Sequence, residues 1–163
     1  MPHPNEELTR RAYDAFSRGD VDTLRQVFAD DAVFHEPGRN PVSGDHQGID
    51  QILAFFGLLA ERSGGTFRVT LHDAVANDEH AMGLHVAEGE REGRRLHSLQ
   101  TVVLHGRDGR ITEAWAHHYD QHATDEFWAQ VLIETSCEPA LGAGGGLKPG
   151  SCRYKPVGNV WAC

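Results

Sequence analysis

The chain has 163 residues, 39% hydrophobic and 24% charged, with a formal net charge of −9. That is the size and balance of a soluble globular domain with a core of its own, and its acidity argues against nucleic acid as a partner, because phosphates demand Lys and Arg. No apolar run approaches the ~18 residues of a membrane span, and the start Met1-Pro2-His3-Pro4-Asn5-Glu6-Glu7 has no secretory-signal character; a cytoplasmic protein with no membrane partner is expected.

Asn5 is placed to cap a first helix, with Glu6 and Glu7 in the turn that the helix dipole favours. Leu8, Ala12, Ala15 and Phe16 recur at helical spacing until Gly19. Asp20 is placed to cap a second, short helix, and Ala32 to Glu36 reads as extended. Pro37 to Gly48 reads as a loop. Ile49, Ile52, Leu53, Phe56 and Leu59 form the apolar stripe of a third helix, which Gly64-Gly65 stops. The pattern then switches to period two: strands around Phe67–His72 and Ala81–Ala87, then Leu96–His105, then a last strand from Arg110 towards Gln121. A final helix is expected from about Ala123 to Ile133. Helices, a strand, a helix, four antiparallel strands and a helix make an α+β domain with helices on one side of a curved sheet.

The turn chemistry fixes a register. If Glu92-Gly93 and Asp108-Gly109 are two-residue hairpin loops, His85 faces Gln100 and Gln100 faces His117. Gly83, Val102 and Trp115 form the next row, and Ala87, Ser98 and Tyr119 the row beyond. The opposite face then carries Met82, Leu84, Val86, Leu99, Val103, Ala114 and Ala116. Two largely apolar faces both need cover; helices supply one, and a second subunit is the simplest cover for the other. A one-residue slip would exchange the faces of a strand.

Several stretches resemble the SnoaL-like branch of the nuclear transport factor 2-like (NTF2-like) superfamily. They are His35-Glu-Pro-Gly-Arg-Asn-Pro-Val-Ser-Gly-Asp-His-Gln-Gly48 leading to Phe56, Leu71-His-Asp-Ala-Val-Ala-Asn-Asp78, Asp108-Gly-Arg-Ile-Thr-Glu-Ala-Trp115, and Asp120-Gln ahead of Asp125-Glu-Phe-Trp128. The resemblance covers roughly residues 5–135. It implies a cone-shaped α+β barrel, a curved sheet packed with three to four helices around an apolar pocket, commonly as a dimer. It leaves the chemistry open among polyketide cyclases, ketosteroid isomerases, epoxide hydrolases, dehydratases and binding domains. In cyclase members an Asp shortly after the last-strand Trp is the acid/base, and Asp120 matches that position. By strict alternation Asp120 lies on the face opposite Trp115, so it reaches the pocket only through a bend or bulge.

Isomerisation and aldol cyclisation need a base for a proton next to a carbonyl, and donors for the oxyanion that forms. Asp120 and His117 are the candidate bases. Tyr13, His85, Gln100 and Tyr119 are the candidate donors, and His35 and Trp115 complete the expected pocket lining. No cofactor is implied, and no metal: on a strand His117 and His118 point to opposite faces, which spoils a shared site. The Gly-rich stretches at Ser43-Gly44 and Gly142–Gly146 lack the strand, capped helix and Lys of a phosphate cradle.

Residues 1–136 are read as the domain and 137–163 as a Gly-rich linker and C-terminal peptide. That segment holds all three cysteines, Cys137, Cys152 and Cys163, and no Asp or Glu after Glu138. Its composition resembles the core of a ribosomally made, post-translationally modified peptide precursor. Ser151, Cys152 and Cys163 suit ring closure, and Tyr154 and Trp161 suit oxidative cross-linking. The favoured expectation is a folded leader that presents this peptide to modifying enzymes. The alternative is a pocket enzyme of the isomerase or cyclase type for a small apolar carbonyl compound.

Overall fold

In the computed structural model, which describes residues 1–130, helix α1 (Pro4–Arg18) begins one residue before Asn5. His3 is the cap: its ring accepts from the Asn5 N–H, and Pro4 fills the first turn, where a missing N–H is no loss. Gly19, at φ 65°, ends the helix in the left-handed conformation. Asp20 caps α2 (Val21–Val27) by accepting from the Thr23 N–H.

Strand β1 (Phe28–Glu36) follows directly and begins at Phe28 rather than Ala32. Within the expected loop lies a short edge strand, β2 (Gly44–Gln47), antiparallel to β1. Helix α3 (Ile49–Arg62) buries Ile49, Ile52, Phe55 and Leu59. Strands β3 (Arg68–Ala76), β4 (His80–Arg91), β5 (Arg94–Arg107) and β6 (Arg110–His118) are antiparallel neighbours, and α4 (Gln121–Trp128) closes the described chain. The sheet runs β2-β1-β6-β5-β4-β3. Because β1 pairs with β6 in parallel, the sheet is mixed, and because its end strands β2 and β3 do not pair with each other, it is unclosed. Helix α1 packs on β3 and β4, α3 on β1, and α4 on β5, so all four helices, with α2 beside α1, lie towards the sheet's concave face.

Both tight turns form. Glu92 and Gly93 have φ 50° and 77°, Asp108 and Gly109 have φ 54° and 74°, the signature of primed hairpin turns. Between β4 and β5 the expected register holds: His85 opposes Gln100, Gly83 opposes Val102 and Ala87 opposes Ser98.

Between β5 and β6 it does not. Arg107 opposes Arg110 and Gly106 opposes Ile111, as the turn dictates, but His105 then opposes Glu113, leaving Thr112 as an extra residue. Beyond this bulge Gln100 opposes His118 rather than His117, and Val102 opposes Ala116 rather than Trp115. Ala114 and Ala116 therefore face the helices, and Trp115 and His117 turn to the outer face. The cause is packing. Ile111 and Ala114 are both fully buried, at 1% and 0% exposure, and an odd spacing reaches one face only if a residue is skipped. A bulge also adds the twist that bends the sheet around its helices. The outer face keeps Val75, Met82 and Leu99 exposed, with no covering element among the described residues. None of the described helices is long and apolar enough to cross a membrane.

Candidate functional site

Between the helices and the concave face lies a cavity of about 100 Å³. Its walls are largely apolar, with Phe16, Phe34, Phe55 and Phe56 on one side and Val102, Ile111 and Trp128 on the other. One polar row crosses it: Tyr13 of α1, His85 of β4, Gln100 of β5, His118 of β6 and Glu36 of β1. The three central residues are neighbours because the two hairpin registers set them opposite one another.

Contacts within the row fix its hydrogens. Tyr13 Oη lies 2.8 Å from His85 Nδ1, and His85 Nε2 lies 3.3 Å from Gln100 Oε1. An amide oxygen only accepts, so His85 carries its proton on Nε2, and Nδ1 accepts from the Tyr13 hydroxyl. Burial drives the His85 pKa down to about 4, and the nearby His118 adds to the effect. The ring is therefore neutral in ordinary buffers. Burial likewise pushes the Tyr13 phenol up, which keeps it a donor. The Gln100 NH2 group is left as a donor with no protein partner among the described residues. Gly83 makes the arrangement possible: a Cβ there would stand 2.5 Å from the Tyr13 ring.

At the other end His118 Nε2 lies 3.2 Å from Glu36 Oε1, with the two side chains only 3% and 9% exposed. The carboxylate orients the ring through Nε2 and makes no contact with Nδ1. That Nδ1 is buried and has no hydrogen-bond partner among the described residues. With the His118 ring neutral and its proton on Nε2, the row offers an acceptor on β6 beside a donor on β5.

The SnoaL-like domain family matches residues 9–114. The chain belongs to that family. It is 34% identical over 124 residues to the uncharacterized protein Rv0034 of Mycobacterium tuberculosis, an alignment spanning 76% of this chain and 95% of that one. It is 39% identical to Bal32a, from a soil-derived mobile gene cassette, with TM-score 0.75 over 77% of this chain and 96% of that one. IdmH from Streptomyces antibioticus, named as a candidate polyketide cyclase, is 25% identical, with TM-score 0.60 over 72% of this chain and 92% of that one. The fold is NTF2-like.

In this SnoaL-like domain the expected site residues part company. Tyr13, His85 and Gln100 meet in the cavity. Asp120 does not: it is exposed and caps α4, accepting from the Ala123 N–H at 2.9 Å. The strand ends at His118, and the next acceptor along the chain is used to start a helix. Tyr119 is 89% exposed, and His117 lies exposed on the outer face. Trp115 and His35 stack on each other on that face, 5.5 Å apart. There His35 Nδ1 reaches Asp45 at 2.7 Å and Nε2 reaches Glu113 at 2.9 Å. Burial opposes charging His35, but the bonds and charges of Asp45 and Glu113 outweigh it and raise the pKa.

Sequence reasoning missed His118 and Glu36. Glu36 was legible: it stands two residues after Phe34, so alternation gives it the core-facing side. His118 was hidden by the bulge. Just beyond Glu36, Asp125 of α4 accepts from the Arg39 N–H at 3.0 Å, from Asn40 Nδ2 at 2.6 Å and from Gln121 Nε2 at 3.1 Å. This ties the chain after β1 to α4. A Cβ on Gly38 would lie 2.2 Å from the Asp125 carboxylate, so that residue must be glycine. Burial raises the Asp125 pKa, but these donors, Asn40 first, outweigh it and lower the pKa. No three His, Cys, Asp or Glu side chains among the described residues converge as a metal site would. The modification candidates Ser151, Cys152, Tyr154, Trp161 and Cys163, and the boundary at residue 136, lie outside the described residues.

Proposed function

We propose that the cavity binds a small apolar carbonyl compound and moves a proton at the carbon beside its carbonyl, as an isomerase or cyclase would. The observation that carries this is the orphaned Nδ1 of a His118 side chain that is 3% exposed and oriented by Glu36. Glu36 plays the part of the orienting carboxylate and His118 that of the base. The substrate C–H bond breaks, its electron pair moves into the enolate, and the proton goes to Nδ1. The Gln100 NH2, one strand away, donates to the developing oxyanion. Return of the proton to another carbon gives isomerisation; its delivery to an aldol oxygen gives ring closure. Apolar walls exclude water and strengthen the Gln100 contact. A cavity of about 100 Å³ holds a reacting group on the order of one six-membered ring. IdmH, with polyketide cyclase in its name, supports the same reaction class.

The test is hydrogen–deuterium exchange at the α-carbon of cyclohexanone in D2O, followed by NMR. His118→Gln should slow the protein-dependent exchange about 10²–10⁴-fold, the usual worth of a positioned base. Gln100→Leu should slow it about 10²-fold. Exchange unaffected by His118→Gln in a folded variant sinks the reading.

Two expectations accompany it. A second copy covering Val75, Met82 and Leu99 makes a homodimer through the outer face. The folded-leader role concerns residues 137–163, outside the described residues, and the cavity gives it no support. Intact mass of the protein from its native host tests it: an unmodified, full-length C-terminus rules it out.

A further inference from the structure

The cavity does not end at the helices. A second hollow of about 730 Å³ lies where the end of α1, α3 and the edge strand β3 diverge. Six side chains line both spaces: Phe16, Leu24, Phe56, Leu59, Phe67 and Val69. The partition between inner cavity and outer cleft is thus made of side chains, all apolar. Its centre is Phe56, whose ring meets Phe16 edge-on at 4.9 Å and also touches Phe28, Phe34 and Phe55. Exposed side chains ring the cleft, so it opens to solvent. Among the described residues its only ionisable lining side chains are Arg18 and Arg68, although the whole chain carries −9. Arg18 pairs with Asp14 at 2.7 Å. Arg68 bonds only to the backbone carbonyls of Gly65 and Phe67, and has no carboxylate partner among the described residues.

We infer that cavity and cleft are two compartments of one site, built for an elongated ligand with a carbonyl head, an apolar stem and an anionic end. The head sits at the polar row, the stem passes Phe16 and Phe56, and the anion ends at Arg68 and Arg18. The inner space is too small for more than the head, and the apolar partition suits a stem but not a charge. The two cations stand at the far mouth, where an anion stays hydrated. This rests on the cavity being a carbonyl site.

The experiment is calorimetric binding of straight-chain methyl ketones from butanone to decanone, and of the same chains ended in a carboxylate, from levulinate to oxoundecanoate. Wild-type affinity should rise about fourfold per methylene without levelling off at the length that fills the inner cavity. The carboxylate should weaken the short ligands and tighten the long ones about fivefold. The tightening should vanish in Arg18→Gln/Arg68→Gln, whose exposed positions leave the fold alone. A plateau at a chain of ring size, or a carboxylate that weakens binding at every length, overturns the two-compartment site while leaving the carbonyl site standing. Butanone that fails to bind, or binds His118→Gln as well as wild type, overturns both.

Discussion

The two faces of one sheet carry the same residue types and make them into different things. On the inner face His85 is 5% exposed, with a hydroxyl and an amide for partners, and stays neutral. On the outer face His35, 28% exposed, lies between two carboxylates and favours its charge. Partners and water access, not residue identity, decide which histidine suits proton transfer and which suits a salt link. The inner row is an acceptor beside a donor in an apolar box. The outer cluster, His80 beside His105, His105 beside Trp115 and Trp115 beside His35, is a wet aromatic patch.

What assigns residues to faces is the bulge at Thr112, so the sharpest way to break the comparison is there. One residue inserted after Thr112 would swing Trp115 and His117 inward, against helices that now meet Ala114 and Ala116. The expected loss is above ~4 kcal/mol, enough to abolish a cooperative urea transition. Deleting Thr112 should be far milder. Ile111, Glu113 and Ala114 then alternate regularly, His118 still opposes Gln100, and only the local bend is lost, at about 1–3 kcal/mol. If insertion and deletion behave alike, the bulge is not what sorts the faces.

That bulge also marks where the sequence stopped being readable. Glu92-Gly93 and Asp108-Gly109 announced both hairpins, because a turn's demand for positive φ is local. The register of β4 on β5 followed from it. The skipped residue answers to the curvature imposed by distant helices, and nothing near Thr112 carries that information. The only trace is that Ile111 and Ala114, an odd distance apart, both need burial. Strand β2 was unreadable for another reason: Gly44-Asp-His-Gln47 has no apolar alternation, and among the described strands it pairs with β1 alone. The helix caps at Asp20 and Gly19 were local and legible. Asp120 was legible as a position, but its carboxylate serves the α4 backbone.

The inner histidine gives the next largest effect. A folded-state pKa of about 4 for His85, against the ordinary 6.5, means the unfolded chain binds more protons between those values. Stability should fall as pH drops from 6.5 to 4, by roughly 3 kcal/mol at the acid end. His85→Gln should flatten that part of the profile in urea melts. The depressed Asp125 contributes a separate loss lower down, within the carboxylate range, which His85→Gln leaves in place. An unchanged slope in the variant would mean that His85 does not titrate differently on folding.

A charge on the outer face tests the dimer. Leu99 is 44% exposed, so Leu99→Glu should change monomer stability by no more than about 0.5 kcal/mol. It should still convert a dimer to monomer in sedimentation velocity. Wild-type protein that sediments as a monomer at high concentration removes the second subunit from the proposal.

The smallest effect is the outer histidine, and its sign is opposite to that of His85. His35 has a raised pKa in the folded state, so its contribution is fully present below 6.5 and is lost as pH rises through the raised value. Asp45 and Glu113 are 64% and 40% exposed, so screening holds the contribution to about 1 kcal/mol or less. His35→Gln should therefore lower stability at about pH 5.5 and leave it nearly unchanged at about pH 9, whereas His85→Gln raises the relative stability on the acid side. The two variants should bend the profile in opposite directions although both remove a histidine from the same sheet. If His35→Gln lowers stability as much at about pH 9 as at about pH 5.5, the clamp does not depend on the His35 charge and the contrast between the faces is one of burial alone.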